Sequence, residues 1–146
     1  MAAFSDYLEA ANLNHNLRGV PYVAPTDDTD VWVALYLNNP GEDATGNEVT
    51  DSGYSRQSIK QDVETLAAAW TVPNDEELEG GHYIQNTRRI QFPPIVDATI
   101  TVAHFALWDA KEGGNMLYYG AFDAPKTIEN GDVVSIDAGG IKIIHR

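Results

Sequence analysis

Apolar and polar positions change period once along this chain. Near the N-terminus Phe4, Tyr7, Leu8, Ala11 and His15 recur at helical spacing, and Leu13 and Leu17 widen the stripe. Ser5 is placed to cap this segment, Asp6 and Glu9 suit the positive end of a helix dipole, and Gly19 with Pro21 supplies a stop. The pattern predicts an amphipathic helix within residues 1–19. Such a helix must bury its stripe on its own sheet or on a neighbouring subunit.

Beyond residue 20 the runs become short and rich in β-branched and aromatic residues. Val31 to Leu37 (VWVALYL) ends at the turn signal NNPGED, and Tyr54 to Ile59 follows Ser52 and Gly53. Leu66 to Val72 (LAAAWTV) is ambiguous, because three alanines favour a helix whereas its length and Pro73 favour a strand. Tyr83 to Phe92 reads as one strand or two, stopped by Pro93 and Pro94. Thr99 to Trp108 alternates and then turns wholly apolar, as a strand entering a core does. Met116 to Phe122, Val133 to Asp137 and Ile141 to His145 complete the set. About eight strands joined by Gly, Pro, Asn and Asp turns predict a mainly β fold, an antiparallel β-sandwich or jelly-roll-like domain over residues 20–146 behind the short N-terminal helix. With no internal repeat or linker, residues 1–146 read as a single domain.

Composition narrows the functional classes. The formal charge of −13, from 9 Lys and Arg against 22 Asp and Glu, disfavours a nucleic-acid partner. There is no cysteine, hence no disulfide, thiolate nucleophile or Cys-based zinc site. Neither a membrane span nor a secretory leader is expected, since the chain has no run of ~18 apolar residues and no basic-then-apolar start. The acids fall in loop-like sets: Asp27, Asp28 and Asp30; Glu42, Asp43, Glu48 and Asp51; Asp75, Glu76, Glu77 and Glu79. They read as a solvated, mutually repelling surface. Calcium is a minor alternative, because no set follows the D-x-[DN]-x-[DN]-G loop.

The segment WDAKEGGNMLYYG, Trp108 to Gly120, raises the question of a phosphate loop. Such a loop needs a helix after the glycines and a G-K-[ST] signature; strand formers follow Gly114 instead, so Gly113, Gly114 and Asn115 are predicted to form a hairpin tip. None of the four histidines, His15, His82, His104 and His145, has a catalytic or metal-binding spacing, and His104 reads as a hydrogen-bonded core residue. DSGYS at Asp51 to Ser55 does not fit G-x-S-x-G. Arg88 and Arg89, adjacent on an expected strand, would point to opposite faces and so make no bidentate anion clamp. Trp32, Trp70 and Trp108 could stack on a sugar, although each lies in an apolar run that suits core packing. No catalytic residue, cofactor-binding residue or metal-ligand set emerges, and the chain is expected not to be an enzyme.

Taken together, several segments resemble a family of small tailed-bacteriophage virion proteins labelled tail fibre or minor tail protein. FSDYLEAANLNHNLRG is similar to the family's opening S-D-Y-L-E helix with its N-H pair, VWVALYLNNPGED to its strand ending in a D-P or N-P turn, and GYSRQ to its G-G-Y-A-R segment. The strongest likeness is VAHFALWDAKEGGNMLYYGAFDAPKTIENGDVVSIDAGGIKI, against T-H-F-x-x-[FW]-D-A, G-G-N, L-x-[FY]-G, P-K, G-D and a final A-G strand. It fades between Lys60 and His82, where the family is richer in small neutral residues.

The resemblance implies a non-enzymatic virion structural protein, made in the bacterial host's cytoplasm and displayed on the particle, with no cofactor and no catalytic residues to carry over. Its expected partners are other virion proteins, of the tail or the major capsid shell, and further copies of itself in a homo-oligomer such as a trimer. A tail fibre or tail-tip position and a capsid decoration (cement) role stand level. A carbohydrate-binding module reading a host glycan is the alternative. Interface contacts are expected from the helix residues Phe4, Tyr7, Leu8 and Ala11 and from the strand faces around Tyr118 and Phe122.

Overall fold

Ser5 begins the helix as its spacing predicts. Its hydroxyl accepts the Leu8 amide at 3.1 Å, α1 runs Asp6–Arg18, and Gly19 ends it in the left-handed region at φ 68°. The computed structural model describes residues 2–74 and 81–145. The same serine ties the helix to the body, since its amide donates to Leu117 O at 3.0 Å and its hydroxyl donates to Met116 O. Just ahead of it lies a strand the pattern does not announce, β1 (Ala2–Phe4), which contains Phe4 and so removes that residue from the helix face.

Further along come β2 (Trp32–Tyr36), β3 (Gln57–Ser58), a one-turn helix α2 (Leu66–Ala69), β4 (His82–Gln85), β5 (Ile90–Gln91), β6 (Ile100–Trp108), β7 (Met116–Ile128), β8 (Ser135–Ile136) and β9 (Lys142–His145). All pair antiparallel, in one five-stranded sheet of order β1-β7-β6-β2-β3 and two ribbons, β4-β9 and β5-β8. The fold is mainly β with a short N-terminal helix, as expected, and the sheet does not close into a barrel.

Alternation along the central strands sorts the side chains into two layers. Val33, Leu35, Phe105 and Leu107 face the main core, where Ile90, Phe92, Ile136, Ile141 and Ile143 from the ribbon regions meet them. Ala34, Tyr36, Ala106 and Met116 form a smaller cluster with Ala44, Trp108 and Tyr119. Tyr118 and Tyr119 accordingly serve different clusters.

Several expected segments differ in extent. Tyr54 to Ile59 contracts to the two residues of β3, and Tyr83 to Phe92 divides into β4 and β5. The ambiguous LAAAWTV does both things: Thr65 caps α2, after which Trp70 bridges Asn86 in β fashion. The strand expected to stop at Phe122 continues through Pro125 to Ile128. Val102 pairs with Lys126 and His104 with Ala121, so β7 advances five residues while β6 advances two. The excess forms an irregularity, and Pro125, which has no N–H to offer a ladder, falls within it.

Candidate functional site

Two regions flanking the β6–β7 hairpin hold the molecule's unusual side-chain chemistry. On the β1 side, the register Phe4↔Tyr118 brings an aromatic ring against the end of β9. Phe4 meets His145 edge-on at 4.4 Å between centroids and lies 5.4 Å from Tyr118, whose hydroxyl is 3.0 Å from His145 Nε2. Burial, and secondarily the nearby Tyr22, pushes the pKa of the Tyr118 hydroxyl up to about 12, whereas burial lowers that of His145. Beside this cluster opens an apolar cavity of about 300 Å³, whose walls include Leu8, Tyr22, Trp70, Ile143 and both partners of the facing pair His82 and His145.

At the hairpin tip, the chain turns from Asp109 to Asn115. Gly113 and Gly114 take φ 63° and 77°, and β7 follows with no helix, which removes the geometry of a phosphate loop. Asn115 donates its amide to Asp109 Oδ1 at 2.7 Å and its Nδ2 to Oδ2 at 3.1 Å, while the Asp109 amide returns a bond to Asn115 O. Arg56, only 8% exposed, reaches this loop from far in sequence: one guanidinium nitrogen donates to both Ala110 O and Gly113 O at 2.9 Å. Its other two nitrogens grip Glu48 at 3.0 Å each, and the plane lies 4.0 Å over the Trp108 ring. Tyr54 donates to Glu48 at 2.6 Å and accepts the Leu35 amide at 3.1 Å. Burial first, then the bond to Glu48 and its charge, raise the Tyr54 pKa far above its ordinary value.

The residues singled out for contacts separate into two groups. Leu8 and Ala11 are buried within this chain, whereas Phe4, Tyr7, Tyr118 and Phe122 are half-buried, Phe122 packing on Phe105 at 5.4 Å. The apolar side chains left most open near the helix are different ones: Leu13 at 61%, Leu17 at 78%, Val20 and Val23.

Other expectations meet a different environment. Arg88 and Arg89 lie in the turn between β4 and β5, both exposed, and not on a strand. His104 is half-buried, yet its Nδ1 has no hydrogen-bond partner among the described residues, contrary to the expected satisfied core histidine. The three tryptophans are each half-buried. Asp6, Glu9 and Glu42 form an exposed carboxylate group that sequence spacing did not join.

Among the loop acids, several are turn staples and not mere solvated charge. Asp51 accepts the amides of Gly53, Val96 and Asp97; burial acts against its charge, but these bonds prevail and hold its pKa below the usual value. Asp30 accepts from Val31 and Ser58, and Asp43 from Thr45. The set Asp75, Glu76, Glu77 and Glu79 lies outside the described residues. Sequence reasoning missed the Arg56 assembly altogether, since only the neighbouring opposite charges of Glu48 and Arg56 hint at it and the hairpin tip lies more than 50 residues away.

Comparison with known proteins agrees with the resemblance noted from the motifs. No curated protein matches the chain. A family model described as Podophage GP4 fiber I protein gp80 does, over residues 3–144. That match runs from β1 to β9, through both regions just described, and the chain therefore belongs to this phage fibre family.

Proposed function

We propose that the protein is a non-enzymatic, fibre-type structural component of a phage virion, with its β body displayed and the outer side of α1 turned towards neighbouring virion chains. The family match over residues 3–144 carries this reading. Two features support it. The best-developed polar assembly, Arg56 with Glu48 and Tyr54, spends its hydrogen bonds on holding a loop in shape, as a presentation scaffold requires. The exposed Leu13, Leu17, Val20 and Val23 follow one another along α1 and the segment after it, an apolar strip suited to burial in an assembly.

Immunogold labelling of intact phage tests the location. Gold at the tail end is expected; gold spread over the head would replace the fibre reading with capsid decoration. For the contact face, Leu13→Lys with Leu17→Lys is the suitable variant. Deleting residues 1–18 would also remove β1 and Ser5, which the sheet itself uses. The double variant should fold normally, as judged by circular dichroism, and fail to join oligomers or particles. Normal incorporation would refute the assigned face. A glycan array is expected to show no binding, because the rings available for stacking on a sugar are half-buried.

A further inference from the structure

We propose that His82 and His145 form a binding site for a transition-metal dication of the zinc or nickel type, which clasps β4 to β9 at the edge of the apolar cavity. The two residues are direct cross-strand partners in that antiparallel ribbon. Residues so paired project to the same face with Cβ atoms about 4.5–5.5 Å apart. That spacing lets two imidazoles converge on one ion at metal–nitrogen distances of about 2.0–2.1 Å. Both residues line the same cavity.

The surroundings prepare one of the two rings. His145 is held edge-on by Phe4 at 4.4 Å, and its Nε2 engages the Tyr118 hydroxyl at 3.0 Å. A ligating histidine characteristically uses its second nitrogen for such an outer hydrogen bond, which fixes ring orientation and tautomer. Nδ1 of His145 is left without a partner among the described residues, and so are both ring nitrogens of His82. The net charge of −13 raises the local cation concentration around the whole chain. The exposed group Asp6, Glu9 and Glu42 is all oxygen and suits hard cations, so it serves as an internal control. The ion would clasp only the ribbon that carries β9, so its binding is independent of the virion role.

The test uses the full chain without a polyhistidine tag, titrated with zinc or nickel chloride in calorimetry and thermal melts, in the presence of excess magnesium. Wild type should bind one ion and melt at higher temperature with metal. His82→Ala, at an exposed position, and His145→Ala should each weaken binding by at least about tenfold. His15→Ala and Glu9→Gln should leave it unchanged. Substoichiometric copper(II), which is paramagnetic, should broaden the ring resonances of His82 and His145 and spare His15. The proposal is overturned if wild type shows no binding up to millimolar metal, or if either control weakens binding as much as His82→Ala does.

Discussion

The tip of the β6–β7 hairpin and the aromatic cluster where β1 meets β7 are held by opposite kinds of force. At the tip, charged and carbonyl groups fix one loop geometry through directional bonds radiating from a single buried guanidinium. Around Phe4, Tyr118 and His145 there are rings, an open apolar cavity and one hydroxyl–imidazole bond. A polar knot of the first kind tolerates almost no substitution, because each deletion strands a buried partner. Rings against a cavity have room to adjust. The difference marks a rigid tip beside a more forgiving flank.

The sharpest way to break this contrast is Arg56→Ala, which leaves the two tip carbonyls without their donor and Glu48 with only the Tyr54 hydroxyl. We expect a loss of about 3 kcal/mol in urea unfolding, at the low end for a broken buried pair because Glu48 keeps part of its solvent access. Arg56→Lys should recover less than half, since an ammonium cannot reproduce the fork. A loss below about 0.5 kcal/mol would mean that the knot is ornamental.

Next in size is Gly114→Val, at about 2 kcal/mol. A Cβ there would lie 2.5 Å from Asp109 Oδ1 and 2.7 Å from the Ala110 Cβ, at φ 77°. Gly113, at φ 63° with nothing within 4 Å, isolates the backbone strain: Gly113→Ala should cost only about 1 kcal/mol. Equal losses for the two glycines would argue that the tip is not closely packed.

In the aromatic cluster, Tyr118→Phe should cost about 1 kcal/mol, one hydrogen bond's worth. Its pH signature is more telling than its size. A folded pKa raised from 10.0 to about 12 stabilises fully below pH 10, and that contribution is lost as pH rises through about 12. The wild type should therefore lose stability across that window in fluorescence-monitored melts, and the phenylalanine variant should lose less.

The smallest effect is expected at His145. Its folded pKa lies below 6.5, so the stability it contributes is complete above pH 6.5 and declines as pH falls through the lower folded value. Melting temperature should fall slightly from pH 7 to pH 5, and His145→Gln should flatten that slope. An unchanged slope would assign the acid sensitivity to the carboxylates instead.

How far these features were visible in the residues depends on how local their causes are. Ser5, Gly19 and the glycine pair act within a few residues of themselves, and spacing alone located them. The apolar runs that became β2 and β6 are long enough to declare their period. By contrast β1, β3, β5 and β8 have two or three residues each and exist only because a neighbouring segment pairs with them. Helical spacing also could not say which of Leu8, Leu13 and Leu17 would be covered, because the docking surface on β7 lies far along the chain. Arg56 illustrates the same limit for polar groups, and the resemblance to phage fibres reached the family without revealing this knot.

The place of β1 also bears on how the chain is made. Ala2–Phe4 is synthesised before its pairing partners, Tyr118 to Gly120, which are polymerised roughly 6–23 s later at ordinary translation rates. Ser5 waits for Met116 and Leu117 in the same way. Through that interval β1 lacks the strand it joins, so it can dock only well after it is synthesised. Until it does, the outer edge of β7 stands open to any strand that can add to it, including β1 of another nascent copy. Where many copies are made side by side, the order of synthesis therefore sets a race between closing a chain on itself and exchanging strands with a neighbour.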